Sequence, residues 1–204
     1  MKLHISNSVS KLGSSIPSIN LPPIITCRQN APCAKKCYAA HGRFCFPHNR
    51  ELLLNNLLLW KTNPEQFKNE VIIGTQCSRY ARWHSAGDIP DATYFQMMVE
   101  VAEELPNTEF LAFTKKFEIV NEYLNAHDGV LPKNLNVLFS PWGDGFQPEN
   151  PYKLPLAYIK LKAEHCTIPD DAYECSGNCA MCAFKPTSCW HLKRGQSVFF
   201  NEHR

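Results

Sequence analysis

Between Tyr80 and Gly145 the chain repeats one rhythm of apolar strand, polar turn and amphipathic helix, and no other feature restricts its fold as much. YARWHSAGD (Tyr80 to Asp88) reads as a strand running into Gly-Asp. DATYFQMMVEVAEEL (Asp91 to Leu105) reads as an amphipathic helix with Asp91 as its cap. TEFLAFTKK is a strand, FEIVNEYLNAH a helix, and LNVLFSPWGDG (Leu135 to Gly145) a strand that again ends in a Gly-Asp loop. YKLPLAYIKL holds a further strand, which Pro155 permits only at its start or at a sheet edge. Alternation of this kind implies parallel strands joined by crossover helices, hence an α/β fold, either a partial (β/α) barrel or a parallel sheet.

Upstream, residues 1–26 read as an extended segment, with SIPSINLPP setting its direction. Asn49 to about Lys61 forms a helix with Leu53, Leu57 and Trp60 on one face, and PEQFKNEVIIGT forms another after Asn63-Pro64. Ligands in open α/β sheets and barrels sit at the carboxyl ends of the strands. That puts His84, Ser85, Gly87 and Asp88 on one rim with Thr114, Lys115, Ser140, Trp142 and Asp144. From about Cys166 the periodicity disappears. The expected organisation is therefore an α/β core over 1–165 carrying a cysteine loop, with a compact, cysteine-rich, metal-organised extension over 166–204 packed on it.

Ten cysteines need an explanation in a chain of 204 residues. The first stretch, MKLHISNSVSKLGSS, has no apolar h-region, so the expected location is the cytoplasm, a reducing compartment where structural disulfides do not persist. With 44% hydrophobic and 20% charged residues the chain can bury a core without staples. Its longest apolar run, LLLNNLLLW, is too short and too interrupted to cross a bilayer, so no membrane partner is expected. A formal net charge of +2 gives no strong pull toward nucleic acid. Thiolate ligation of metal or of an iron–sulfur cluster is the reading that remains.

Two groups carry it. Cys175-x3-Cys179-x2-Cys182-x6-Cys189 offers four thiolates at short spacing, enough to saturate zinc or to hold a [4Fe–4S] cluster at every iron. Zinc usually takes two separated knuckles, whereas three cysteines crowded into eight residues suit a cluster. The other group is Cys27-x5-Cys33-x3-Cys37-x7-Cys45, with His41 inside it. Its fourth ligand is Cys45, His41 or none. Three thiolates leave one iron open to a small molecule, the arrangement that chemistry requires; four make a structural or electron-transfer site. Cys77 and Cys166 are core thiols or complete a cluster from a distance.

Asp88 and Asp144 each end a strand at a glycine turn, as cofactor contacts or as turn caps. His84 could carry a proton or simply be a hydrogen-bonded core residue. Arg82 shares its face, and a buried arginine needs an anionic partner. Thr114-Lys115-Lys116 could hold a carboxylate or phosphate.

CRQNAPCAKKCYA, NRELLLNN, RWHSAGD, TEFLAFTKK, CSGNCAMCAFKPTSCW and VFFNEH, in that order from about Asn7 to His203, resemble the gene 88 protein family of phages and bacteria. More distantly the layout is similar to radical S-adenosylmethionine (SAM) enzymes. That resemblance implies a radical-SAM-like fold, a cluster on the first cysteine loop, SAM at the turn Ser85-Ala86-Gly87-Asp88, and an auxiliary cluster in the tail. Radical SAM loops carry a third cysteine at x2; here nothing follows Cys37 at that spacing, and the position falls to Cys27 or Cys45. One or two [4Fe–4S] clusters are thus expected, with SAM as a candidate cofactor and a small molecule or redox partner. The competing class is a zinc-stapled module that contacts nucleic acid, against which the chain has no basic stripe or interleaved aromatic patch.

Overall fold

The computed structural model describes residues 1–7, 11–13, 15–162 and 165–202. It is α/β, with eight strands in one mostly parallel sheet and five helices among the described residues. Two short strands, β1 (Ile5–Ser6) and β2 (Ser18–Ile19), start the sheet and pair antiparallel. They fall within the extended segment expected over 1–26, of which residues 8–10 and 14 lie outside the described residues. Helices α1 (Pro47–Thr62) and α2 (Pro64–Thr75) lead to β3 (Tyr80–Trp83). Then come α3 (Ala92–Glu104), β4 (Glu109–Thr114), α4 (Phe117–Ala126), β5 (Leu135–Phe139) and β6 (Leu156–Lys160). Strand β6 begins directly after Pro155, which has no N–H to give to the ladder.

The helices start where local chemistry dictates. The Asp91 carboxylate accepts the backbone N–H of Tyr94 at 2.8 Å, capping α3. Asn63 does the same for α2 through the N–H of Gln66, with Pro64 in the first turn. None of the helices is long and apolar enough to cross a membrane.

The sheet runs β1-β2-β3-β4-β5-β6-β8-β7, parallel at every pairing after the first. The sheet also draws on the segment expected as a C-terminal extension over 166–204. That segment contributes β7 (Tyr173–Glu174), one turn of helix α5 (Cys179–Cys182) and β8 (Ser197–Asn201). Strand β8 pairs with β6 along its whole length, from Leu156–Ser197 to Lys160–Asn201. The tail therefore completes the sheet as well as packing on it.

Alternation along the strands divides the sheet into two faces. Ala81, Trp83, Phe110, Ala112, Val137 and Phe139 join Leu59, Trp60, Phe67, Tyr94, Val120 and Leu124 in the main core, so α1 to α4 cover one face. Tyr80, Leu111, Leu138, Ala157 and Val198 point the other way, into a second core with Leu12, Ile16, Trp190 and Leu192. On that side the cover is the cysteine-bearing tail. Three hydrogen bonds from two side chains hold it there. The Asn136 amide donates to the carbonyls of Cys189 (2.7 Å) and Leu192 (3.1 Å), and the Trp190 indole N–H donates to the carbonyl of Ala81 at 3.2 Å.

Candidate functional site

A cavity of about 720 Å³ lies at the carboxyl ends of the strands, and both cysteine groups reach it. This is the size of an organic ligand site rather than of a single ion.

The first group rides on the connection from β2 to α1, a succession of tight turns over Pro32–Lys36, Tyr38–Ala40 and Gly42–Cys45. Cys27, Cys33 and Cys37 border the cavity. Burial, the Asp88 carboxylate and the two neighbouring thiols together push Cys27 up to about 12. Burial also raises Cys33, with Lys115 opposing. Cys45 is elsewhere. It does not border the cavity, and its Sγ lies 3.9 Å from the Ala39 carbonyl, within the same run of turns. His41 is exposed and also outside the lining.

The second group comes from the other side. Cys175 leaves β7, Cys179 and Cys182 bracket α5, and Cys189 precedes the Trp190 anchor; all four border the same cavity. Burial first, then the charges of Cys175 and Cys179, drive the Cys189 thiol far up, while Arg82 opposes them. Cys179 is raised by burial, again against Arg82. The thiols of each group are thus electrostatic neighbours. Among the described residues no three His, Cys, Asp or Glu side chains converge closely enough to grip one metal ion as placed. Cys77 is exposed, and Cys166 is half-buried; neither borders the cavity.

Strands β3 and β4 supply the floor between them. After Trp83 the chain turns through Ser85, Ala86, Gly87 and Asp88, held by a residue that sequence reasoning missed. The fully buried Asn20 accepts the N–H groups of Ser85 (2.7 Å) and Ala86 (3.1 Å) on Oδ1, and the hydroxyl of Ser18 at 3.0 Å. An asparagine between Ile19 and the Leu-Pro-Pro of an apolar segment was the available signal, since a polar group there must be satisfied internally. Gly87 has φ +83, and a Cβ on it would stand 2.6 Å from the Leu21 carbonyl oxygen and 2.8 Å from Thr26 Oγ1. Only glycine fits.

Asp88 is buried and well used. Its Oδ1 accepts the Thr114 hydroxyl (2.6 Å) and the Ile89 N–H (2.8 Å), and its Oδ2 accepts the Lys115 N–H at 2.9 Å. Burial raises its pKa, and these three donors work against the rise. It ties the loop after β3 to the loop after β4 while facing the cavity, so cap and rim residue are one. Ser85 shares a 2.9 Å hydrogen bond with Ser18 and accepts the hydroxyl of Tyr38, an exposed residue that borders the cavity, on its carbonyl.

His84 is buried with Nε2 3.1 Å from the Tyr94 hydroxyl and Nδ1 without a partner. Burial, then the nearby Arg82 charge, lower its pKa to about 3, so it is neutral at any physiological pH. Asp144, expected on the same rim, borders a separate shallow hollow instead. It binds His165 and accepts the Thr167 N–H at 2.7 Å, and the Thr167 contact followed by His165 lowers its pKa. Across the main cavity's edge the Lys36 ammonium meets Glu202 at 3.2 Å, joining the N-terminal cysteine loop to the end of β8.

No curated protein and no solved structure matches the chain. The family model described as Gene product 88 matches residues 2–173, stopping two residues before Cys175. That match takes in the sheet from β1 to β6, the first cysteine loop and the Ser85–Asp88 turn, and it extends over most of the sequence. The chain belongs to the Gene product 88 family.

Proposed function

We propose that this protein is an iron–sulfur protein with a radical-SAM-like layout, in which two groups of thiolates hold [4Fe–4S] clusters at the ends of one ligand cavity. The observation that carries this reading is the meeting of seven cysteines, from loops more than a hundred residues apart, on one cavity at the carboxyl ends of parallel strands. Thiolate-only donor sets select zinc, copper(I) or iron–sulfur clusters. A cluster seats its cysteines on separate irons, so it does not require them to converge on one point as zinc does.

Cys175, Cys179, Cys182 and Cys189 would hold one cluster through four thiolates, and Cys27, Cys33 and Cys37 the other through three. When bound, such clusters supply one-electron chemistry. The chain's own residues supply the rest. Asp88 has one lone-pair position left for an amine donor, and the Gly87 turn brings backbone close to the same place, which supports SAM there. His84, neutral and buried, adds no charge of its own to the floor.

Anaerobic purification followed by iron and sulfide quantitation tests the reading. Near-stoichiometric iron and sulfide with visible thiolate-to-iron absorption is the expected result, and addition of SAM then alters the electron paramagnetic resonance spectrum of the reduced protein. Zinc in place of iron, with no visible absorption, overturns the cluster assignment. An unchanged spectrum overturns the SAM part and leaves an electron-transfer or structural protein.

A further inference from the structure

Arg82 stands on β3 between the two cysteine groups; its backbone N–H donates to the Pro17 carbonyl at 3.0 Å, but its side chain makes no hydrogen bond or ion pair with any described residue. Its Nε is buried without a partner, and its guanidinium lies over the Phe113 ring, 4.9 Å from the centroid. Arg82 lines the cavity. Lys115 is similar. Its ammonium sits 5.7 Å from the Trp142 ring centroid, also on the cavity wall, with no carboxylate bound. The two acids of the lining do not answer these cations. Asp88 accepts from Thr114, Ile89 and Lys115 N–H, and Glu202 is taken by Lys36 and by the N–H of Lys162 at 2.8 Å. Arg82 is half-buried, and a buried Nε–H without an acceptor is costly unless a ligand supplies one.

We infer that the cavity is a binding site for an organic anion, a carboxylate or phosphate on a flat apolar body, with Arg82 and Lys115 gripping the acid group and Phe113 and Trp142 walling the body. The guanidinium fork matches carboxylate and phosphate oxygens in pairs, which a neutral ligand cannot use. Its contact with the Phe113 ring, 4.9 Å from the centroid, limits the side chain before binding, so less freedom is lost on binding. The volume fits a ligand of this kind alongside the cysteine loops. As an identification of substrate this deepens the iron–sulfur reading; as a binding site it stands without it.

The test uses the full chain, purified anaerobically, with iron content measured on every sample. Calorimetric titration with benzoate, phenyl phosphate and uncharged benzyl alcohol is expected to give saturable binding of one or both anions, at least about tenfold tighter than the alcohol. The stronger of the two anions identifies the acid group. Arg82→Gln is expected to remove that preference, Lys115→Gln to weaken it, and added salt to weaken it in the wild type. Circular dichroism melts check folding. Should Arg82→Gln fail to fold, Lys115→Gln and the salt series carry the decision. Equal binding of acid and alcohol, or no saturable binding, overturns the inference. So does an Arg82→Gln variant that loses iron yet binds the anion unchanged, since Arg82 would then only balance the thiolates. Anion binding in iron-free protein sustains this inference while defeating the cluster reading, and the reverse pattern does the opposite.

Discussion

Written out, the two cysteine groups look alike, four thiols each on a short loop. In space they differ. The C-terminal four all face the cavity and are clamped to the sheet through Asn136, Trp190 and the pairing of β7 and β8. The N-terminal loop sends three thiols to the cavity and leaves Cys45 against the Ala39 carbonyl. Closed ligand sets serve structure and sets with a vacant position serve chemistry, a distinction best established for zinc. On the iron–sulfur reading proposed above, that logic would make the tail a scaffold and the first loop a working site, although they share one cavity.

The sharpest way to break this comparison is to remove one thiol from each side. Cys179→Ser is expected to lose about half of the bound iron and to lower the melting temperature by many degrees, because metal binding at a structural site is folding energy. Cys37→Ser is expected to lose a comparable share of iron with a smaller change in melting. Cys45→Ser is expected to leave iron content unchanged. An equal loss in Cys45→Ser would close the first set and erase the contrast.

Smaller effects probe the frames of the two groups. Gly87→Ala forces a methyl against the Leu21 carbonyl at a left-handed backbone position. Urea unfolding should show a loss of about 2–3 kcal/mol, with the first loop affected more than the tail. Asn136→Ala orphans the carbonyls of Cys189 and Leu192. We expect about 1–3 kcal/mol, accompanied by faster amide exchange in the tail and not in the first loop.

The smallest effect concerns the strand end that both groups share. His84 has a folded pKa of about 3 against an ordinary 6.5. The unfolded chain therefore takes up a proton before the folded one does, and stability is complete above 6.5 and falls as the pH drops from there toward 3. Between pH 7 and pH 6 the loss should stay under about 1 kcal/mol, and His84→Asn should flatten it. Asp88, whose pKa is raised, works in the opposite sense, adding stability as pH falls toward the ordinary carboxylate range. Urea midpoints across that interval in the wild type and in His84→Asn separate the two.

How far the sequence was legible follows from where its signals were local. Helices α1 to α4 and strands β3 to β6 came through because apolar period, caps and prolines agree within each segment. Pro155 even marks the residue just before β6. Strands β7 and β8 were not legible. Tyr173–Glu174 is two residues long, and SVFFN becomes a strand through its partner β6, about forty residues upstream, rather than through its own pattern. The candidate site divides similarly. The carboxyl-end rule placed Ser85, Gly87, Asp88 and Lys115 on one rim. It also placed Asp144 there, but hydrogen bonds to His165 and Thr167 turn that carboxylate toward another hollow. Spacing alone could not separate Cys45 from its neighbours, since the Gly42–Cys45 turn decides which way its sulfur points.

The position of β8 has a consequence for how the molecule is made. It lies between β6 and β7, so a chain synthesised from its N-terminus carries β6 with one ladder unfilled from Lys160 until Ser197 has emerged. An exposed parallel edge is a template for another copy. A ribosome pausing in the cysteine-rich stretch would lengthen that interval, and chains cut short there would be the ones to aggregate.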